Sequence, residues 1–337
     1  MKVRKTLRII CVLSIFLSLL GYSSSFLSFP AALLVFILVG ALWLIEYVFF
    51  ERNSIPQVSN FALDLEVVRR LAMAEKSQLP TQVNSLIVAE GEIPDWIVVA
   101  GGTPQNFCIS FTSFQVVYDD KTIIIECPFN KVLYDKFCRF KLLGIKGKAF
   151  HERNFDIMQK ALLDADFILV THEHWDHTGG IAQSPHINEL MQKTVLTSEQ
   201  ISDHTIKMAN FPQDVLNDYD PLQYERYHAI APGIVLIKAP GHSGGSQMIF
   251  VQLQNGEEFL FVGDIAWNLI NIESLKNHSR AGMLLRFENG KLLGHQLRWL
   301  YDNIWNNPKE AINLVTSHDL KQLEHYHRIG LIGHQFV

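Results

Sequence analysis

The sequence predicts an α/β layered sandwich preceded by one or two transmembrane helices, and three observations predict it. Two long apolar runs occupy the first fifty residues. From about Val83, short β-branched or aromatic runs recur, each bounded by Gly, Pro or Asp. Helical stretches fall between these runs, the alternation that packs helices onto sheets.

The apolar runs cover residues 9–20 and 31–50, and the second carries only Glu46 as a charge. Roughly twenty apolar residues at about 1.5 Å each match a hydrocarbon core of about 30 Å. Residues 21–29 are uncharged and extend the first run, so a two-helix hairpin is expected. Pro30 suits a helix start, where its missing N–H would be orphaned anyway. The alternative is a cleaved secretory signal with Ser23–Ser25 near the cleavage point. Lys2, Arg4, Lys5 and Arg8 precede the first run and favour a cytoplasmic N-terminus. The hairpin then returns the body to the cytoplasmic side of an inner or plasma membrane. The expected organisation is an anchor at 1–53, a linker with an amphipathic helix at 54–82, and one large domain at 83–337.

Within the linker, residues 61–73 carry apolar side chains at helical spacing. Strands follow at 85–89, 96–100, 113–118 and 122–126, the last two joined by a polar turn as a hairpin. A helix at 154–164 precedes an apolar strand at 167–171. Further strands are expected at 194–198, 234–239, 248–253, 259–262 and 312–316. Helix is expected within 275–305 and around 309–311. Residues 131–153 hold seven cations against two acids, interleaved with Phe137, Phe140, Leu142, Leu143 and Phe150. That segment reads either as an ordinary solvated loop or helix, or as a lid lying on anionic lipid headgroups.

The whole chain carries a net charge of −5, but the first fifty residues are cationic. The remaining 287 residues balance 25 cations against 33 acids and hold all 14 histidines. A negative body argues against sequence-independent nucleic-acid binding, which needs a cationic face. The four cysteines lack Cys-x-x-Cys spacing, and Cys11 lies in the apolar run, so no disulfide scaffold is expected.

Chemistry concentrates in Thr171-His172-Glu173-His174-Trp175-Asp176-His177-Thr178-Gly179-Gly180, directly after an apolar strand. On extended backbone alternate side chains share a side, so His172 and His174 can converge on one ion. Asp176 and His177, on the bending loop, can face a neighbouring ion. Imidazole and carboxylate are ligands that borderline divalent metals such as zinc accept. Glu173 is a tempting candidate to support the ligands from behind, but its position reads as that of a surface or loop-anchoring residue. Three more strand ends carry candidates: Pro240-Gly241-His242-Ser243-Gly244-Gly245-Ser246, Gly263-Asp264 and Ser317-His318-Asp319. Each alone is weak, but together they place ligand-type residues at the ends of four predicted strands. His151, His186 and His295 are further histidines that could line a cleft without binding metal.

His-x-His-x-Asp-His, then Gly-His-Ser-x-Gly-Ser, Gly-Asp and a late His resemble the motif order of the metallo-β-lactamase-fold hydrolases. The resemblance covers roughly residues 87–331. It implies a four-layer αβ/βα sandwich with two divalent ions, zinc by default, on one edge. It implies His172, His174 and His242 on the first ion, Asp176, His177 and His318 on the second, and Asp264 bridging. The implied chemistry is hydrolysis of an ester-like bond by a metal-bridging hydroxide, with Asp176 or Asp264 carrying the proton to the leaving group.

The ligand order most resembles the lactonase-like branch, which implies a lactone or carboxylic ester of a small or lipid-like molecule as substrate. That branch commonly carries a tyrosine three residues after the bridging aspartate. Trp267 stands there, a candidate substrate contact that donates one hydrogen bond but cannot ionise usefully. A phosphodiesterase acting on a lipid or nucleotide phosphate is the enzymatic alternative. A metal-binding sensor or scaffold is the non-enzymatic one.

Overall fold

The computed structural model describes residues 15, 28–47, 55–103, 105–141 and 144–337. The first apolar run (except Ile15), the Ser23–Ser25 stretch, and Leu142 and Leu143 of the basic segment lie outside them. The second run forms a helix over Phe29–Ile45, with Pro30 in its first turn and no residue buried. Seventeen residues reach about 25 Å at roughly 1.5 Å each, short of the ~30 Å hydrocarbon core. Among the described residues no helix is long and apolar enough to cross a membrane, so the expected spanning helices are not found there.

The body is built on two sheets. The first contains β1 (Gln82–Pro94), β2 (Asn106–Val117), β3 (Thr122–Ile125), β4 (Lys146–Phe150), β5 (Phe167–Leu169) and β6 (Thr194–Val195). Their spatial order is β4-β1-β2-β3-β5-β6. The second contains β7 (Tyr227–Ala231), β8 (Ile234–Lys238), β9 (Gln247–Gln252), β10 (Glu258–Gly263) and β11 (Ile312–Thr316), in the order β11-β10-β9-β8-β7. The strand pairs β3–β5, β5–β6 and β10–β11 run parallel. The expected hairpin is β2–β3, antiparallel with Phe114 opposite Ile125.

Alternation along the strands creates the layers. Ile123 and Ile125 face inward to meet Leu236, Ile249, Phe259 and Phe261 of the other sheet. Ile124 points outward onto Met158 and Leu162 of the helix Glu152–Asp164. On the second sheet, Val235, Met248, Phe250 and Leu260 point outward onto Leu293 and Leu297 of the helix Gly290–Leu300. Strands that are apolar on both faces therefore sit between two helical layers, a four-layer sandwich. The amphipathic helix is shorter than expected, Leu65–Ala72, capped by Asp64. It packs Val68 and Ala72 into the outer core of the second sheet.

Two expectations about elements are corrected. Residues 96–100 are not a strand: Asp95–Val98 form one helical turn, because Val99 N–H closes onto Asp95 O at 2.8 Å. A five-residue apolar run carries no period that could separate the two states. Residues 309–311 are a turn and irregular chain leading into β11 rather than helix. Of the basic segment's alternatives the ordinary helix is found, with an edge strand after it. The segment forms the helix Lys131–Phe137 and the edge strand β4, and its Phe137 packs inward beside Phe111 and Phe129. Its lysines fit an edge position, where a charged strand discourages further pairing. β7 was likewise unforeseen, being a half-exposed edge with little alternation. Cys108, Cys127 and Cys138 are free thiols.

Candidate metal centre

The candidate ligands come from loops at one edge of the sandwich. β3 and β5 run parallel, and so do β10 and β11, so their carboxyl ends open at common edges. Backbone bonds tie the loops together there, two of them between the sheets and the middle one between the loops after β10 and β11. Gln247 N–H donates to Thr171 O at 2.8 Å, His318 N–H to Trp267 O at 3.1 Å, and Ser110 N–H to His318 O at 3.2 Å.

Two glycines let the segments approach. Gly263 adopts φ +54°, and a Cβ there would meet Thr171 Oγ1 at 2.7 Å. Only glycine takes that backbone at no steric cost. Gly180 lies on the helix Trp175–Ala182, where a Cβ would meet Pro128 O at 2.7 Å. This explains the Gly-Gly pair after His177: the helix seats directly on the chain leaving β3.

All seven predicted positions converge. His172, His174, His242 and Asp264 form one group, and Asp176, His177 and His318 another. Within each group the ligand atoms lie within 4.8 Å of one another. Asp264 stands between the two. Its Oδ2 faces His242 Nε2 at 3.2 Å and His172 Nε2 at 3.8 Å. Its Oδ1 faces His177 Nε2 at 3.2 Å and His318 Nε2 at 3.3 Å. Asp176 Oδ2 lies 3.6 Å from His318 Nε2 and 3.8 Å from His177 Nε2. His174 differs from the others in presenting Nδ1, 2.9 Å from His242 Nε2.

Three of the outward nitrogens are hydrogen-bonded, and the fourth, on His242, has a carboxylate beside it without a formed hydrogen bond. His172 Nδ1 meets the Thr171 hydroxyl at 3.1 Å, and His318 Nδ1–H donates to Ser110 O at 2.9 Å. His177 Nδ1 faces Glu126 Oε2 at 2.9 Å, and His242 Nδ1 lies 2.9 Å from Glu288 Oε1. The three bonds fix which nitrogen points inward. The inward atoms His172 Nε2, His177 Nε2, His318 Nε2 and Asp264 Oδ1 are buried without a hydrogen-bond partner. Such atoms are costly in a folded interior unless a cation satisfies them. The donor set of six imidazole or carboxylate groups around a shared carboxylate therefore fits two divalent ions.

Electrostatics divides the imidazoles. Against burial, Glu126 foremost holds His177 well above the usual range and Asp264 raises His318, so an ion there must displace their protons. Burial, reinforced by neighbouring histidines, holds His172 and His174 well below the usual imidazole range, so both are neutral and able to ligate. Burial works to raise Asp264, but the surrounding imidazoles, His242 foremost, hold it well below the usual carboxylate range. Glu288 is likewise held low by Arg286 and His278 against the opposing effect of burial.

Glu173 is not at the surface. It is fully buried, accepts from the Ser243 hydroxyl at 3.0 Å and the Thr205 hydroxyl at 3.3 Å, and so anchors the loop that carries His242. Burial, with Asp203 nearby, pushes its carboxyl up to about 8. Trp267 is buried beside His318, ring centroids 5.1 Å apart, and its Nε1–H has no partner in the protein. His151 pairs with Glu90, and His295 accepts from Asn60 N–H. His186 precedes the helix Ile187–Met191. These three do not join the cluster.

Sequence reasoning missed Glu126, His278 and Glu288. Glu126 had a signal: an acid ending the strand beside the one that leads to His172. Glu288 and His278 had none, since both lie in irregular chain.

A sequence model of the Metallo-beta-lactamase superfamily matches residues 150–293. An N-acyl homoserine lactonase of Bacillus thuringiensis is 25% identical over 125 residues, 36% of this chain and 48% of that protein. One from a Bacillus species is 25% identical over 111 residues, 33% of this chain and 42% of its own length. The chain thus spans about half the length of the curated relatives it matches. Among solved structures, an N-acyl homoserine lactone hydrolase with N-hexanoyl-L-homoserine at its catalytic metal centre superposes with a TM-score of 0.56. It is 16% identical, over 73% of this chain and 96% of that one. A probable metal-dependent hydrolase from Staphylococcus aureus gives 0.55 at 16% identity, over 72% and 90%. The fold is the metallo-β-lactamase fold.

Proposed function

We propose that this protein is a hydrolase using two divalent ions, with zinc the default, to cleave a lactone or carboxylic ester. The observation that carries the reading is Asp264, whose two oxygens each face a different set of imidazoles. His172, His174 and His242 would hold one ion, Asp176, His177 and His318 the other, and Asp264 both. Bound there, the ions would supply positive charge that polarises an ester carbonyl and lowers the pKa of a coordinated water towards about 7.

The chain's own residues divide the remaining work. Asp264 is nearly sealed, whereas the Asp176 side chain keeps 15% of its surface exposed. Asp176 is therefore the carboxylate placed to take a proton and pass it to a leaving alkoxide. The Trp267 indole N–H, buried and unpartnered within the protein, is the donor proposed for a substrate oxygen. It can donate but not protonate, so proton delivery falls to Asp176. The lactonases found as relatives support a lactone as the substrate class.

The exposed apolar helix Phe29–Ile45 supports a second element of the proposal, attachment of the body to a lipid surface. Four cations ahead of the first apolar run support a cytoplasmic N-terminus, and with the two-helix hairpin a cytoplasmic body, as part of this proposal. A reporter fused after Val337 that reads external would reverse that placement.

The deciding experiment is metal analysis of the purified full chain, followed by assay against lactones, carboxylic esters, thioesters and phosphodiesters. Two bound ions and chelator-sensitive lactone or ester cleavage are expected. Two ions with no turnover on any substrate would favour a metal-binding scaffold, and cleavage of phosphodiesters alone would move the substrate class.

A further inference from the structure

Behind His242 lies a buried cluster that the hydrolytic reading does not use. Glu288 has no exposed side-chain surface. Its Oε1 lies 2.9 Å from His242 Nδ1, and its Oε2 lies 2.9 Å from His278 Nδ1. Arg286 Nε bonds Oε1, and the guanidinium stacks on Trp267 at 4.6 Å from the ring centroid.

His242, His278 and Glu288 bring ligand-type atoms within 4.8 Å of one another, so a third metal site is one reading. Arg286 argues against it, because a guanidinium already neutralises Glu288, and an added cation would meet like charge. The carboxylate is committed to ordering donors instead. The local backbone is shaped for this. Phe287 takes φ +59°, a left-handed conformation uncommon outside glycine, and turns its own ring to solvent. The next residue, Glu288, is thereby directed inward, with its N–H on Met283 O at 2.9 Å. Asn289 N–H donates to Gly241 O at 2.7 Å, fastening the segment to the loop that carries His242.

We propose that Glu288 is a positioning residue for the first ion, its carboxylate beside His242 Nδ1 favouring the ring orientation that turns Nε2 inward. A carboxylate on the far nitrogen sets the tautomer and raises the basicity of the metal-facing one. Arg286 and His278 keep that carboxylate in place. The proposal rests on the two-ion reading and concerns one ion only, which makes it separable from that reading.

The test uses the full chain loaded with cobalt(II), read by chelator competition and by visible absorption, with no substrate needed. Wild type binds two ions. Glu288→Gln is expected to bind one of them about 10–100-fold more weakly, with a changed spectrum for that ion and an unchanged second site. Glu288→Asp, which keeps the charge but withdraws it by one methylene, falls between the two. Either variant, folded and binding both ions with wild-type affinity and spectrum, overturns the proposal. Equal weakening at both ions overturns it as well, since that is the mark of general loosening. Should wild type bind no ion, the two-ion reading fails and the proposal with it.

Discussion

Glu126 Oε2 lies 2.9 Å from His177 Nδ1, although 51 positions separate the two residues. The other oxygen of Glu126 accepts the Thr171 N–H at 3.1 Å, so one carboxylate holds a histidine and the strand end leading to His172. Its backbone sits at φ +65°, a conformation costing of order 1 kcal/mol or more outside glycine. Strain kept at that point indicates that side-chain placement outweighs backbone comfort there.

Removing the carboxylate should therefore reach both halves of the cluster unequally. Glu126→Ala is expected to weaken the ion at Asp176, His177 and His318 by about 10–100-fold, with a smaller effect on the other. Metal titration with a chromophoric chelator measures this. Equal affinity of mutant and wild type at both sites would contradict the assignment.

Asp264 carries the sharpest prediction. Replacing it with Ala removes one ligand from each group at once, so bound metal should fall below two ions per chain and turnover to background. Asn keeps the shape but loses the charge that offsets four imidazoles, and should retain less than wild type of both. Elemental analysis beside an ester assay distinguishes the two substitutions. Full activity in Asp264→Ala would remove the basis of the proposed chemistry.

Much of this edge was legible because its residues follow strands. His172, His174, Asp176, His177, His242, Asp264 and His318 all stand within a few residues of an apolar run whose end a reader can locate. Glu288 was not legible, since its role depends on a left-handed turn at Phe287 and on a loop about 45 residues earlier in the chain. β4 and β7 escaped because edge strands need no apolar alternation, and residues 96–100 misled because short apolar runs fit either state. The buried position of Glu173 was hidden for another reason. Alternation from His172 and His174 points it away from the ions, but only the packed loops at Thr205 and Ser243 decide whether that side is solvent or core.

Glu173 also predicts a pH dependence. Its carboxyl is raised to about 8, chiefly by burial, from 4.5. Between those values the folded chain retains a proton that the unfolded chain has lost. Its contribution to stability is therefore full below about 4.5 and declines as pH rises towards 8, by roughly 1.4 kcal/mol per pH unit at most. Glu173→Gln cannot ionise and keeps an acceptor for Ser243 and Thr205. Thermal melts of the metal-free chain from pH 5 to 8 should fall less steeply for the variant. Parallel curves would show that Glu173 is ionised across the range.

Gly263 offers a test of how closely the sheets must approach at the site. At φ +54°, alanine meets both an unfavourable backbone region and Thr171 Oγ1 at 2.7 Å. Thr171 cannot retreat freely, because its N–H is held by Glu126 and its carbonyl by Gln247. Gly263→Ala should cost about 1–3 kcal/mol from the backbone alone, more with the clash. It should also displace Asp264, the next residue, so that metal affinity drops along with the melting temperature. Thr171→Ser with Gly263→Ala removes the methyl but leaves the hydroxyl in contact, and should recover little. Thr171→Ala with Gly263→Ala removes the hydroxyl and should recover part of both. A double variant no better than Gly263→Ala would place the cost in the backbone and in the Cβ of residue 171, which alanine keeps 2.8 Å from the added carbon, rather than in the hydroxyl.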